Sequence, residues 1–200
     1  GVFPGYVGNI SNGYYIWGAQ LETGAFPTSY IPTVASTVTR SADSASITGT
    51  NFSSWYNQSE GSIFVKGSVP YKENAAGGFV VLNDFTTNNR IDIRQYRFTP
   101  IVSSNGTSIS WNVANPTIPT LTLNQSYRQA FAYSSNNHAN SIENGFETST
   151  TSIGSIPATR LAFGMRDALT SPGPNTGCTI SQLSYYPVRL SNSQLQTLTK

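Results

Sequence analysis

Charge is what this chain has least of. Only 10% of its 200 residues are Asp, Glu, Lys or Arg, against 38% hydrophobic and 12% aromatic. Long solvent-facing helices normally carry Glu and Lys, so the composition argues against them, fits an all-β protein and leaves Ser, Thr, Asn, Gln and Gly to cover the surface. The aromatic content is too high for a disordered chain. The 11 basic residues are scattered and the formal net charge is +2, so no nucleic-acid partner is expected. No apolar run approaches the length of a membrane span, and no membrane insertion is expected. One cysteine, Cys178, excludes an internal disulfide framework. Phosphate-binding loops and dinucleotide fingerprints are absent. The opening "GVFPGYVGN" has neither an initiating Met nor a secretory pattern and reads as a cut into a longer chain.

What is present is a succession of short, alternating, β-branched and aromatic runs. Strands are predicted within 61–69, 77–84, 89–96, 107–113, 126–134, 158–166 and 177–190. Residues 138–149 read as a hairpin around Asn144-Gly145, a pair suited to tight turns. Ser191 followed by Gln194, with Leu195 and Leu198 on one face, predicts a short C-terminal helix. Near the start, Tyr14, Tyr15, Ile16 and Trp17 read as one strand. Pro27 and Pro32 then open an extended connector over 26–42. The expected division is a strand-bearing segment over 1–25, the connector, and an all-β domain over 43–200, a sandwich or barrel, with two packed antiparallel sheets as the arrangement expected. Its inward positions should include Ile63, Val65, Val80, Leu82, Ile91, Ile93, Phe131, Tyr133, Leu161, Phe163, Ile180 and Leu183.

Chemistry is sparse. His138 is the only histidine and lies far along the chain from Cys178, so a zinc site is not expected. Side-chain oxygens of Asp84, Asn88, Asn89 and Asp92 are of the kind that takes calcium, but the same residues read better as a turn between two strands. No cofactor is expected. Glycan hydrolysis usually needs two facing carboxylates. The nine acidic residues (Glu22, Asp43, Glu60, Glu73, Asp84, Asp92, Glu143, Glu147 and Asp167) show no such pairing along any strand. No nucleophile motif accompanies His138. What remains is aromatic and amide surface suited to sugars: Trp55, Tyr56, Tyr71, Tyr96 and Arg97 as flat faces, Asn88 and Asn89 as hydrogen-bonding amides. Trp111 alternates within its strand and is expected to pack.

The segment "YIWGAQLETGAFPTSYIPT" followed by "TVTRSAD" (37–43) resembles one common in bacteriophage tail-fibre and other virion structural proteins. "NDFTTNNRIDI" (83–93), "YRQAFAYSSNNHANSIENGF" (127–146), "TRLAFGM" (159–165) and "ISQLSYYPVRLSNSQLQTLT" (180–199) resemble the phage branch of concanavalin-A-like, laminin-G-like domains. The resemblance implies a jelly roll. It implies no single activity, since such domains include lectins, adhesion modules and hydrolases. The expectation is a virion protein at the particle surface, on a tail fibre or the head exterior. It would be a distal tail-fibre or receptor-binding module that binds host-surface glycan without cleaving it. Homotrimers and contacts with other virion proteins are implied as partners. The alternatives are a head decoration or assembly protein using the sandwich for protein contacts and, further off, a glycan-cleaving enzyme. An unpaired Tyr14–Trp17 strand would expose apolar rings and backbone, so it is expected to pair with an upstream domain, the jelly roll or a neighbouring subunit.

Overall fold

The structure, a computed structural model, describes residues 5, 7–23, 29–40, 45–69, 78–94, 100–110, 122–143, 145–164 and 178–200. The chain divides into two units, Gly1–Ala42 and Asp43–Lys200.

In the second unit the elements are β1 (Ser46–Thr48), α1 (Thr50–Ser53), β2 (Glu60–Ser68), β3 (Gly78–Asn83), β4 (Arg90–Arg94), β5 (Ile101–Ser104), β6 (Thr107–Ser110), β7 (Ser126–Ser134), β8 (His138–Ile142), β9 (Gly145–Ser149), β10 (Arg160–Phe163), β11 (Thr179–Tyr186) and α2 (Asn192–Leu198). They form a six-stranded sheet in the order β1-β10-β3-β4-β5-β6 and a five-stranded sheet in the order β11-β2-β7-β8-β9. Every pairing is antiparallel. This is a two-sheet antiparallel sandwich, as the succession of short alternating strands predicts, and the jelly roll that the resemblance implies.

Alternation explains the core. Ile63 and Val65 of β2 and Phe131 and Tyr133 of β7 face Val80, Leu82, Ile91, Ile93 and Leu161 of the opposite sheet, all buried in one cluster. Phe163, Ile180 and Leu183 pack against it half-buried. The outer face of the five-stranded sheet is closed separately. Phe64, Ala130, Ala132 and Ala139 meet Leu195 of α2, with Leu190 and Leu198 alongside. Small residues on that face let the helix approach. The helix starts on the expected capping box: Ser191 accepts from the Gln194 amide, and the Gln194 side chain returns to the Ser191 backbone.

Three elements are absent from the sequence reading: β1, α1 and β5, of three, four and four residues. Runs so short carry almost no periodicity. The hairpin turns also differ. Ile142 pairs directly with Gly145, so Gly145 belongs to β9 and not to the turn, while Asn144 lies outside the described residues. The Asn-Gly pair that does form a two-residue turn is Asn105-Gly106, between Ser104 and Thr107, with φ of 47° and 81°. Both positive angles match the turn that follows the natural strand twist.

The first unit corrects one expectation. Tyr14, Tyr15, Ile16 and Trp17 form no strand, and no ladder exists among its described residues. β-propensity describes fit to a neighbouring pleated surface, and none of the described residues of this unit supplies one. The local order is small: the Trp17 and Tyr30 rings lie 5.2 Å apart, and the Gln20 side chain accepts from the Ile31 amide at 2.7 Å. Residues 29–40 carry no helix or strand.

Candidate functional site

The β3–β4 loop and the β5–β6 turn meet at one end of the sandwich. Asp84 orders the loop by accepting from the Thr86 amide (2.9 Å), the Thr86 hydroxyl (2.6 Å) and the Asn89 amide group (2.7 Å). Desolvation works against its charge, but these bonds prevail and hold the carboxyl below its usual range. Asn89 in turn accepts from the Asn105 backbone at 2.9 Å, and the Asn88 carbonyl from Gly106 at 3.2 Å. Asn88 stays exposed and Asn89 half-buried.

Inside this loop sits Phe85, with φ at 69° and 49% of its surface exposed. A non-glycine residue in the left-handed region is uncommon, and an aromatic one more so. The Asn83 side chain helps to hold it, accepting from the Phe85 amide at 3.3 Å and from Arg160 Nε at 2.7 Å. The Arg160 guanidinium carbon lies 3.9 Å from the centre of the Phe85 ring. The result is an exposed aromatic backed by a cation. Burial pushes the Arg160 guanidinium down from its ordinary value.

Arg160 and Asn83 belong to a polar row on the outer face of the six-stranded sheet. Because Ile91 and Ile93 point into the core, Arg90, Asp92 and Arg94 point out. Register places Arg160, Asn83, Arg90, Ser103 and Ser108 side by side across five strands. The Ser103 and Ser108 hydroxyls bond at 2.7 Å. In the next row Arg94 Nε donates to Asp92 at 2.9 Å.

The residues expected to bind sugar are distributed as follows. Asn88 and Asn89 lie in the loop just described. Trp55 and Tyr56 follow α1 at the same end, linked to it through the segment 150–159. The Tyr56 hydroxyl donates to the Ile156 carbonyl at 2.7 Å, and Ser104 to the Ser155 carbonyl at 2.7 Å. Their rings are engaged in packing: Phe52 lies 4.7 Å from Tyr56, and Tyr185 4.8 Å from Trp55, while Trp55 Nε1 donates to the Asn51 carbonyl. Burial raises the Tyr56 hydroxyl well above its ordinary range. Beneath them Tyr133 donates to the Asn57 carbonyl at 2.6 Å. Tyr71, Tyr96, Arg97 and Trp111 lie outside the described residues. Phe85, Arg90 and Arg160 escape a reading along the chain, because register and a contact across 77 positions bring them together.

Carboxylates near the site serve as acceptors for protein donors. Asp84 is bound by Thr86 and Asn89, and Asp92 by Arg94. The two acids suggested for calcium thus belong to different networks, and no group of three His, Cys, Asp or Glu suited to a metal occurs among the described residues.

No family model and no curated protein matches the chain. Solved structures do. The Ruminococcus gnavus IT-sialidase CBM40 bound to alpha2,3 sialyllactose is similar at a TM-score of 0.58 and 13% identity, over 75% of this chain and 88% of that one. Domain 4 of AbnA, a GH43 extracellular arabinanase from Geobacillus stearothermophilus, in complex with arabinotriose, matches at 0.50 and 16% identity, over 72% and 67%. The botulinum neurotoxin type G receptor binding domain matches at 0.51 and 12%, over 70% and 38%. At such identities the likeness is one of fold.

Proposed function

We propose that the second unit is a non-catalytic glycan-binding module. The observation that carries this reading is Phe85: an exposed aromatic held in a costly backbone conformation, backed by Arg160, in a loop where Asn88 is exposed and Asn89, bonded to Asp84 and Asn105, holds the shape. Sugars present apolar C–H faces and many hydroxyls, so an aromatic platform ringed by amides and guanidiniums is chemically matched to them. The nearby carboxylates are tied to protein donors, which supports binding without cleavage. The sialyllactose- and arabinotriose-bound neighbours support a glycan as the ligand of this fold.

The finer setting rests on the sequence resemblance. The chain belongs in a phage virion as a tail-fibre or receptor-binding component at the particle surface, where its glycan would be that of the host. Assembly as a homotrimer is supported by the exposed apolar residues of the first unit.

Glycan-array screening of the whole chain, followed by calorimetry on the best binder, tests the reading. Phe85→Ala should weaken binding about tenfold, the equivalent of roughly 1.4 kcal/mol, with the melting temperature unchanged or slightly lowered, since Ala keeps the left-handed backbone and loses the Arg160 contact. Undiminished affinity in that variant, or shortening of the glycan by the wild-type protein, would overturn it.

A further inference from the structure

Asn-Gly pairs occur at 12–13, 105–106 and 144–145, and the last has Asn144 outside the described residues. Such a pair carries its own nucleophile. The glycine backbone nitrogen lies within reach of the Asn side-chain carbonyl carbon, and a glycine has no Cβ to crowd the approach. Attack needs the glycine amide to give up its proton and the Asn side chain to turn over that nitrogen. A hydrogen bond donated by the amide opposes the first, and a backbone held in one conformation opposes the second.

The two described pairs differ in both respects. Gly106 donates its amide to the Asn88 carbonyl at 3.2 Å, and the Asn105 amide is held by Asn89 Oδ1 at 2.9 Å. Pairing of Ser104 with Thr107 closes the turn, with Asn105 at a φ of 47°. Asn12 instead ends a local turn, where its amide donates to the Asn9 carbonyl at 2.9 Å and the Ser11 amide to Asn9 Oδ1 at 2.9 Å. Past that turn Asn12 and Gly13 are both exposed. The Gly13 amide has no acceptor among the described residues, and a Cβ on Gly13 would meet nothing within 4 Å.

We propose that Asn12 is a self-modification site, converting to aspartate and isoaspartate in the folded chain, and that the β3–β4 loop protects Asn105 from the same reaction. The Gly13 nitrogen loses its proton to solvent and forms a bond to Asn12 Cγ. The Cγ–Nδ2 bond breaks, and Nδ2 takes up a proton and leaves as ammonia. Water then opens the five-membered imide at either carbonyl, giving aspartate or isoaspartate; water is the only co-reactant. Conversion lowers the formal net charge from +2 to +1, since one neutral amide becomes one carboxylate. That carboxylate stands two positions before Tyr14, where the exposed apolar run Tyr14–Trp17 begins.

Peptide mapping by mass spectrometry, on the whole chain held in mildly alkaline buffer, reads each pair separately. Deamidated Asn12 should accumulate roughly tenfold faster than deamidated Asn105. In guanidinium chloride, where the Asn88 bond is lost, the two rates should converge. Asn12→Gln should remove the early acidic species seen on ion exchange, and Gly13→Val should delay it. Asn105 converting as fast as Asn12 in the folded chain overturns the proposal, and so does an Asn12 that stays intact. A rate gap that survives unfolding overturns it too, because the gap would then belong to the neighbouring residues and not to the fold.

Discussion

Single residues in this sandwich hold opposite positions with respect to water. Phe85 is kept out: its left-handed backbone costs on the order of 1–2 kcal/mol, and the Asn83 and Arg160 contacts offset it. His138 is kept in, fully buried on β8. Burial lowers its pKa; a backbone bond at Ser149 opposes the shift and the Arg189 charge adds to it. The sign follows. The unfolded chain takes up a proton as pH falls through its ordinary histidine range, near 6.5, while the folded chain resists. Stability contributed by neutral His138 is therefore full above that range and declines as pH falls below it. Thermal unfolding should show a lower melting temperature at pH 5 than at pH 7.5, with a shallower drop in His138→Gln. Equal drops in the two proteins would show that His138 is not the group responsible.

Elements show which parts of the fold are legible along the chain. α2 was readable because its start is encoded locally, in Ser191 and Gln194, and its inner face in Leu195 and Leu198. The long strands were readable for the same reason, since alternation is local. β5 is not, although an Asn-Gly pair follows it at 105–106; the same pair at 144–145 misleads, because Gly145 belongs to the strand. Asn88 and Asn89 were legible as a polar loop, whereas Phe85 with Arg160 needs sheet order, which no local pattern contains. Close packing is equally invisible: a Cβ on Gly61 would stand 2.6 Å from the Tyr133 hydroxyl. The turn itself gives a test. A Cβ on Gly106 would meet only Asn88 Oδ1, at 3.9 Å, so Gly106→Ala is penalised by its φ of 81° and not by a clash. The expected cost is about 1–2 kcal/mol, a fall of roughly 2–8 °C for a domain of this size. Gly106→Asn should lose less, since Asn tolerates that region better. Calorimetry that finds the two variants equal would remove the conformational argument.

For the whole molecule the unresolved balance is the apolar surface of the first unit. Tyr14, Tyr15, Ile16, Trp17 and Leu21 are 96%, 107%, 86%, 85% and 101% exposed. Scattered exposed hydrophobics are ordinary, but five within eight positions are a patch. Large aromatic side chains bury roughly 150–250 Å² each, so this patch comes near the ~800 Å² that each partner brings to a stable interface. Ordering the segment costs roughly 1–2 kcal/mol per fixed residue, and full burial of such side chains returns roughly 1.5–3 kcal/mol each. The terms are of similar size, so burial becomes favourable when one partner surface satisfies several side chains and the backbone together. In the homotrimer proposed above, identical segments around a three-fold axis would do this, each supplying a ladder that is absent among the described residues of the unit. Light scattering with analytical ultracentrifugation should find the whole chain trimeric at tens of micromolar. Tyr15→Ser, Trp17→Ser and Leu21→Ser combined should give a monomer whose sandwich melts at the same temperature as before. A wild-type chain that stays monomeric, or a variant that stays trimeric, would remove the first unit as the source of assembly. A trimer lost only with those three side chains would place the association in residues 14–21 and leave the Phe85 face of each sandwich for ligand.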